Sequence, residues 1–174
     1  RPSREFYAWC ADAARAEEGA GNFIILAFSD DGGATKTEFA YVRHPEQNLG
    51  RTMMPQLWLD QFGHLQMVFS MNYAFAGIAG GDDRHGAWCM PILAEMGPRP
   101  RCGRAWQIAP YGIPGRPVWV DDRFLVNVDL VENPTSGLPT PGPISAWRGK
   151  AIFEINTATR SAVKVGFIAN SAAF

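Results

Sequence analysis

Ser29-Asp30-Asp31-Gly32-Gly33-Ala34-Thr35-Lys36 is the stretch whose reading decides the fold. It follows the apolar run Phe23 to Phe28 and precedes the alternating run Glu38 to Val42, so strand, tight turn, strand is the simplest interpretation. An Asx side chain accepts hydrogen bonds from backbone N–H groups ahead of it, and two glycines supply the positive φ such a loop needs. Asp31 is therefore the expected cap of the turn, bonded to amides within it.

Outward from this octet, short strand-like runs alternate with Gly, Pro, Asn and Asp. Phe6 to Cys10 is aromatic and strand-like, while Ala11 to Ala20 is rich in Ala, Glu and Arg but is cut short by Gly19 and Gly21. That segment reads as a loop with at most a helical turn near Ala11 to Ala16. Pro55 to Asp60 and Leu65 to Met71 flank Gln61-Phe62-Gly63-His64, a second hairpin. A Gly-rich excursion from Ala74 to Gly86 leads to Ala87 to Leu93 and, through Pro98 and Pro100, to Arg104 to Ala109. The order restarts with Pro117 to Val120, a turn at Asp121-Asp122, Arg123 to Leu130, a Pro/Gly excursion from Glu132 to Gly149, Lys150 to Ile155 and Ala162 to Ala169. Short hairpin, long loop, second hairpin is thus repeated at a period of about 60 residues, the organisation of propeller blades built from four-stranded antiparallel sheets. Blade-like units are expected at about 1–45, 51–109 and 112–174, making two and a half to three blades, with a β-sandwich or barrel as the alternative. The octet falls between the third and fourth strands of the first unit, whose innermost strand would precede residue 1. Thr157 to Ser161 holds the equivalent place in the last unit without the Asp or the Gly.

A chain of 174 residues with 47% hydrophobic and 19% charged residues suits one globular domain with a sizeable core. Sixteen basic and seventeen acidic residues, without a block of like charge, disfavour nucleic acid or an anionic membrane as partner. No charged-then-apolar signal segment opens the chain and no apolar run has spanning length, so it reads as soluble, either cytoplasmic or secreted after processing. Cys10, Cys89 and Cys102 are too scattered for a disulfide framework or zinc site, and free thiols are the commoner reading, although Cys89 and Cys102 flank one hairpin. His44, His64 and His85 form no metal cluster, and no phosphate loop, dinucleotide fingerprint or nucleophile elbow occurs, so neither metal nor cofactor is expected.

The spacing Ser-x-Asp-x-Gly-x-Thr resembles the Asp-box of sialidase-like β-propellers, with Lys36 where an aromatic residue, usually Trp, follows in that family. Three further stretches carry the likeness across nearly the whole chain. Pro55-Gln56-Leu57-Trp58-Leu59-Asp60 with Gly63-His64-Leu65, and Gly115-Arg116-Pro117-Val118-Trp119-Val120-Asp121, resemble the family's first hairpin of a blade. Asp82-Asp83-Arg84-His85-Gly86-Ala87-Trp88 is similar to the loop that leads into a strand in bacterial members. The resemblance implies a six-bladed ring, so this chain would need further polypeptide or self-association to complete it. It also implies a glycan-processing enzyme acting on an acidic or capped sugar, or, with an incomplete site, a non-catalytic carbohydrate-binding or assembly-forming part.

In such a ring, the turn between third and fourth strands lies at the end opposite the ligand, which leaves Asp31 a structural role. The family's chemistry needs cationic clamps for a substrate carboxylate, an acid/base carboxyl and a Tyr-based nucleophile. Arg51, Arg116 and Arg148 are the candidate clamps, against the plainer reading of surface arginines. Asp82 and Asp83 are the acid/base candidates, against solvated loop acids, and Tyr73 the phenol, against a packed strand end. Trp9, Trp58, Trp88, Trp106 and Trp119 lie in strand runs and read as core, whereas Trp147 lies in a loop and is the sugar-stacking candidate. Arg51 and Arg116 each precede a Pro-led strand at the same point of the repeat, so their side chains are expected to converge. As exposed residues, both should tolerate Ala within about 1 kcal/mol of stability.

Overall fold

The computed structural model describes residues 4–11, 19–47, 49–73, 86–110, 112–130 and 149–169, and these contain β-strands but no helix. The first sheet is β1 (Glu5–Ala11), β2 (Phe23–Ser29) and β3 (Thr37–Val42), paired in chain order. The middle sheet is β4 (Gly50–Leu59), β5 (Leu65–Tyr73), β6 (Gly86–Leu93), β7 (Arg101–Cys102) and β8 (Trp106–Ala109). β7 and β8 both pair with β6, at Ile92↔Cys102 and Cys89↔Trp106, and so form one interrupted course. The third sheet is β9 (Ile113–Pro114), β10 (Val118–Val120), β11 (Arg123–Leu130), β12 (Gly149–Asn156) and β13 (Ser161–Ala169). Here β9 and β10 share β11 in the same way, at Pro114↔Val128 and Val118↔Leu125. Every pairing is antiparallel, and the fold is all-β and propeller-like, with three, four and four courses in successive sheets.

The sheets stack in chain order, and β5 shows why. Leu65 through Met71 is buried without a break, and successive side chains of a strand point to opposite faces. Leu65, Met67, Phe69 and Met71 join Ile24 and Leu26 of the first sheet in one core. Val68, with Trp58, Cys89 and Trp106, joins Val126, Val128, Phe153 and Ile155 of the third sheet in the other. A strand covered on both sides needs apolar residues at both parities, and each large side chain taken from water contributes about 1.5–3 kcal/mol.

Local chemistry sets the turns. Asp121 and Asp122 both have positive φ, 45° and 62°, the backbone of a two-residue turn whose twist suits a hairpin. Pro55 lies inside β4, where a bulge between Met53 and Gln56 disposes of a residue lacking an N–H donor, and Met54 takes a φ of 55°. At the 157–160 turn, Asn156 supplies the cap that the sequence left unassigned: its Oδ1 accepts from Ala158 N at 3.0 Å and Thr159 N at 3.1 Å.

Two expectations change. β1 extends through Ala11, and residues 12–18, the rest of the expected helical turn, lie outside the described residues. Trp119 is half exposed rather than core, because three-residue β10 ends its sheet and the indole rests on Phe124, with ring centroids 4.4 Å apart. Cys89 and Cys102 are free thiols, the reading the sequence favoured, and do not pair across their hairpin. Cys102 sits opposite Ile92, which is of the other parity from Cys89, so the two thiols face different sheets.

Candidate functional site

The ladders give the stack two distinct ends. Turns 30–36, 60–64, 94–100, 121–122 and 157–160 lie at one, the hairpin end. The opposite strand ends, where Gly50 pairs with Tyr73, Gly86 with Met71 and Gly149 with Leu130, form the other, the link end.

The octet is at the hairpin end, and its hydrogen bonds follow from its chemistry. The Ser29 hydroxyl donates to Asp31 Oδ1 at 2.7 Å and accepts from Gly33 N at 2.8 Å. Thr35 N donates to Asp31 Oδ1 at 2.9 Å, and the Thr35 hydroxyl donates to Oδ2 at 2.6 Å. Gly32 and Gly33 take φ of 70° and 87°, as the turn requires. Lys36, which departs from the pattern the octet resembles, lies over the Tyr7 ring, with its Nζ 4.9 Å from the centroid. The Ser29 hydroxyl, then the Thr35 hydroxyl and amide, hold the Asp31 carboxyl down from 3.8 to about 2. A depressed carboxylate stabilises the fold above its ordinary range, and that contribution fades as pH falls from 3.8 towards 2. An NMR titration of the Asp31 carboxyl carbon should give a midpoint near 2, moving upward in Ser29→Ala; a midpoint at the ordinary value in the parent would contradict the bonding.

Of the candidates, Arg51 stands at the link end. Gly50 opposes Tyr73 and Arg51 opposes Asn72, so Arg51 and the backbone of Tyr73 stand at the link-end terminus of β5. Asp82, Asp83, Trp147 and Arg148 lie outside the described residues, as does the Tyr73 side chain. Arg116 is exposed on the link between β9 and β10, following Gly115, whose N donates to Asn127 O at 2.8 Å. Arg51 is not exposed as expected but 8% accessible. The reason is its register: cross-strand partners share a face, and Asn72 lies on the side of β5 that turns to the third sheet. There the Asn72 amide donates to the Ser70 hydroxyl, which donates to Gly112 O at 3.1 Å. A guanidinium stays charged at all accessible pH, and a buried one needs acceptors around it. Arg51 is thus at the link end of the middle sheet and set into the sheet interface, whereas Arg116, between Gly115 on Asn127 and Val118 on Leu125, is at the surface near mid-height of the third sheet, so the two do not stand at the same level, contrary to what the repeat predicts.

The hairpin end holds two features the sequence reading missed. Asp60, 6% accessible, accepts four hydrogen bonds: Oδ1 from Phe62 N at 3.0 Å and His64 N at 2.9 Å, Oδ2 from Gln66 Nε2 at 2.9 Å and the Thr157 hydroxyl at 2.9 Å. Thr157 belongs to the third sheet, so this carboxylate joins two sheets. Beside it opens a cleft of about 420 Å³ lined by Phe62, His64, Pro91, Trp106, Thr157 and Arg160. The Asp-x-x-Gly spacing signalled the turn but carried no sign of Thr157. Among the described residues no group of three His, Cys, Asp or Glu is placed to hold a metal ion, and no helix is long and apolar enough to cross a membrane.

These features define an all-β protein of stacked antiparallel sheets with one buried arginine, Arg51, at the link-end start of β4. No family model, curated protein or solved structure matches the chain.

Proposed function

We propose that this chain is a sialidase-like propeller part that takes an acidic sugar at its link end, where it would serve glycan processing. The observation that carries the reading is the position of Arg51: a permanently charged group set into the sheet interface at the link end. A carboxylate suits a guanidinium through paired, charge-assisted hydrogen bonds, and Arg116 on the adjacent sheet would supply a second clamp. Asp82 or Asp83 would be the proton donor, Tyr73 the phenol, and Arg148 and Trp147 the remaining sugar contacts. The Asp31 turn at the opposite end supports the resemblance on which these roles rest, because its side chain bonds the amide the Asp-box pattern requires.

Calorimetric titration with a sialylated trisaccharide and its desialylated counterpart tests the reading. The parent should bind the acidic sugar alone. Arg116→Ala should weaken binding by about 10-fold or more, the scale of one lost charge-assisted bond. Arg51→Met, which keeps the buried stem, should do the same without unfolding the chain. Equal affinity of the parent for both sugars, or no effect of either variant, rejects the site. A second reading, an assembly-forming part, is favoured by the apolar side chains exposed on the third sheet, among them Val118, Val163 and Ile168.

A further inference from the structure

The cleft beside Asp60 at the hairpin end takes no part in the proposed sugar site, and its construction is that of a ligand site. Phe62 and His64 come from the turn between β4 and β5, Thr157 and Arg160 from the turn between β12 and β13, and Pro91 and Trp106 from β6 and β8. One carboxylate holds the two turns together: Asp60 accepts from Phe62 N and His64 N on one side and from the Thr157 hydroxyl on the other. The width of the cleft is thereby set before any ligand arrives, and a preformed site loses little binding energy to ordering. Asn156 Oδ1 fixes the second turn from within, through the amides of Ala158 and Thr159. At about 420 Å³ the space lies in the range of small-molecule clefts, about 300–1,000 Å³.

The lining selects a chemical class. Phe62 is 59% exposed and its ring centroid stands 6.1 Å from that of His64, so an aromatic surface is left open to a ligand, and Pro91 and Trp106 continue the apolar lining. Arg160 is the one permanent cation among the lining residues, and no described carboxylate pairs with it. The one acid of the lining, Asp60, is 6% accessible and already turned to four donors. Arg160 also has a φ of 54°, a left-handed conformation that a non-glycine residue enters at a cost and that recurs at ligand sites. We infer that this cleft binds a small aromatic carboxylate, its ring against Phe62 and Trp106 and its carboxylate on the Arg160 guanidinium. A guanidinium and a carboxylate form paired, charge-assisted hydrogen bonds, and a flat ring adds contact with aromatic side chains. The cleft is at the opposite end of the sheets from Arg51, so the inference is independent of the sugar site.

The test is calorimetric titration and amide-shift NMR of the 174-residue chain with 3-phenylpropionate, 3-phenylpropanol and propionate. Phenylpropionate should bind, with shifts centred on the amides of Phe62, His64, Ala158 and Arg160. The alcohol and the ringless acid should each bind about 5-fold more weakly, the scale of one exposed ion pair or one aromatic contact. Arg160→Gly should lower phenylpropionate affinity by about 5-fold and remove the preference over the alcohol. Phe62→Ala should reduce the preference over propionate. Glycine suits the φ of position 160 and both side chains are exposed, so the variants should keep the parent's circular dichroism; Arg160→Asn or Phe62→Leu replaces a variant that does not fold. The sialylated trisaccharide should not displace phenylpropionate, which separates this cleft from the link end. No binding of phenylpropionate, equal affinity for either control probe, shifts centred away from the cleft, displacement by the trisaccharide, or indifference to either variant overturns the proposal.

Discussion

Asp60→Ala should lower the free energy of unfolding by about 3 kcal/mol, measured by urea denaturation. The carboxylate is the shared acceptor of four donors, and truncation strands all of them. A buried donor left without a partner costs about 1–3 kcal/mol. The Phe62 and His64 amides sit at a turn that water can reach, and the Thr157 hydroxyl can rotate away, so the total should stay well below four full penalties. The Gln66 amide, on a residue 4% accessible, has no such escape. Asp60→Asn keeps an oxygen for the two amides but sets an amide group against two donors, and should cost about half as much. Thr157→Val removes only the arm from the third sheet and should cost about 1 kcal/mol. In the Asp60→Ala background Thr157→Val should be nearly silent, a coupling expected if the two groups act as one latch. Additive losses in the double variant would show that the latch is not formed in solution.

Gly50→Ala should be nearly as damaging, by about 3 kcal/mol, for a steric reason. A Cβ built on Gly50 would meet His44 Nδ1 at 2.1 Å and Cγ at 2.2 Å. His44 is 1% accessible and its Nδ1 accepts from Glu46 N at 3.0 Å, so the imidazole cannot swing aside without giving up that bond. Overpacking of this kind typically costs about 1–3 kcal/mol, to which the stranded amide adds. Gly50 also holds the corner between the first and middle sheets, donating to Glu46 O at 2.7 Å and accepting from Gly21 N at 2.9 Å. His44→Ala combined with Gly50→Ala should recover at least about 1 kcal/mol relative to the sum of the single losses, since one methyl then occupies part of the vacated space. Absence of that recovery would mean that the clash is relieved elsewhere. Because Gly50 immediately precedes Arg51, the same variant should also weaken acidic-sugar binding if the proposed site is correct.

The sequence by itself determined what is local. Alternating and apolar runs placed the strands, and Asp31, Gly32 and Gly33 specified a turn whose bonds are satisfied within eight residues. Asp121-Asp122 and Gly63 marked their hairpins in the same way, because turn chemistry acts between residues already adjacent. Only the tertiary structure decided what depends on stacking. The burial of Arg51 follows from which face of β4 meets the third sheet, and a period of two has the same form whichever face is covered. Asp60 read as a turn residue, but its partner Thr157 stands 97 positions away, a separation across which local patterning carries no signal. Trp119 and Trp58 look alike in their strands; one ends half exposed at a sheet edge and the other buried between sheets, because neighbours supplied by the fold set their burial.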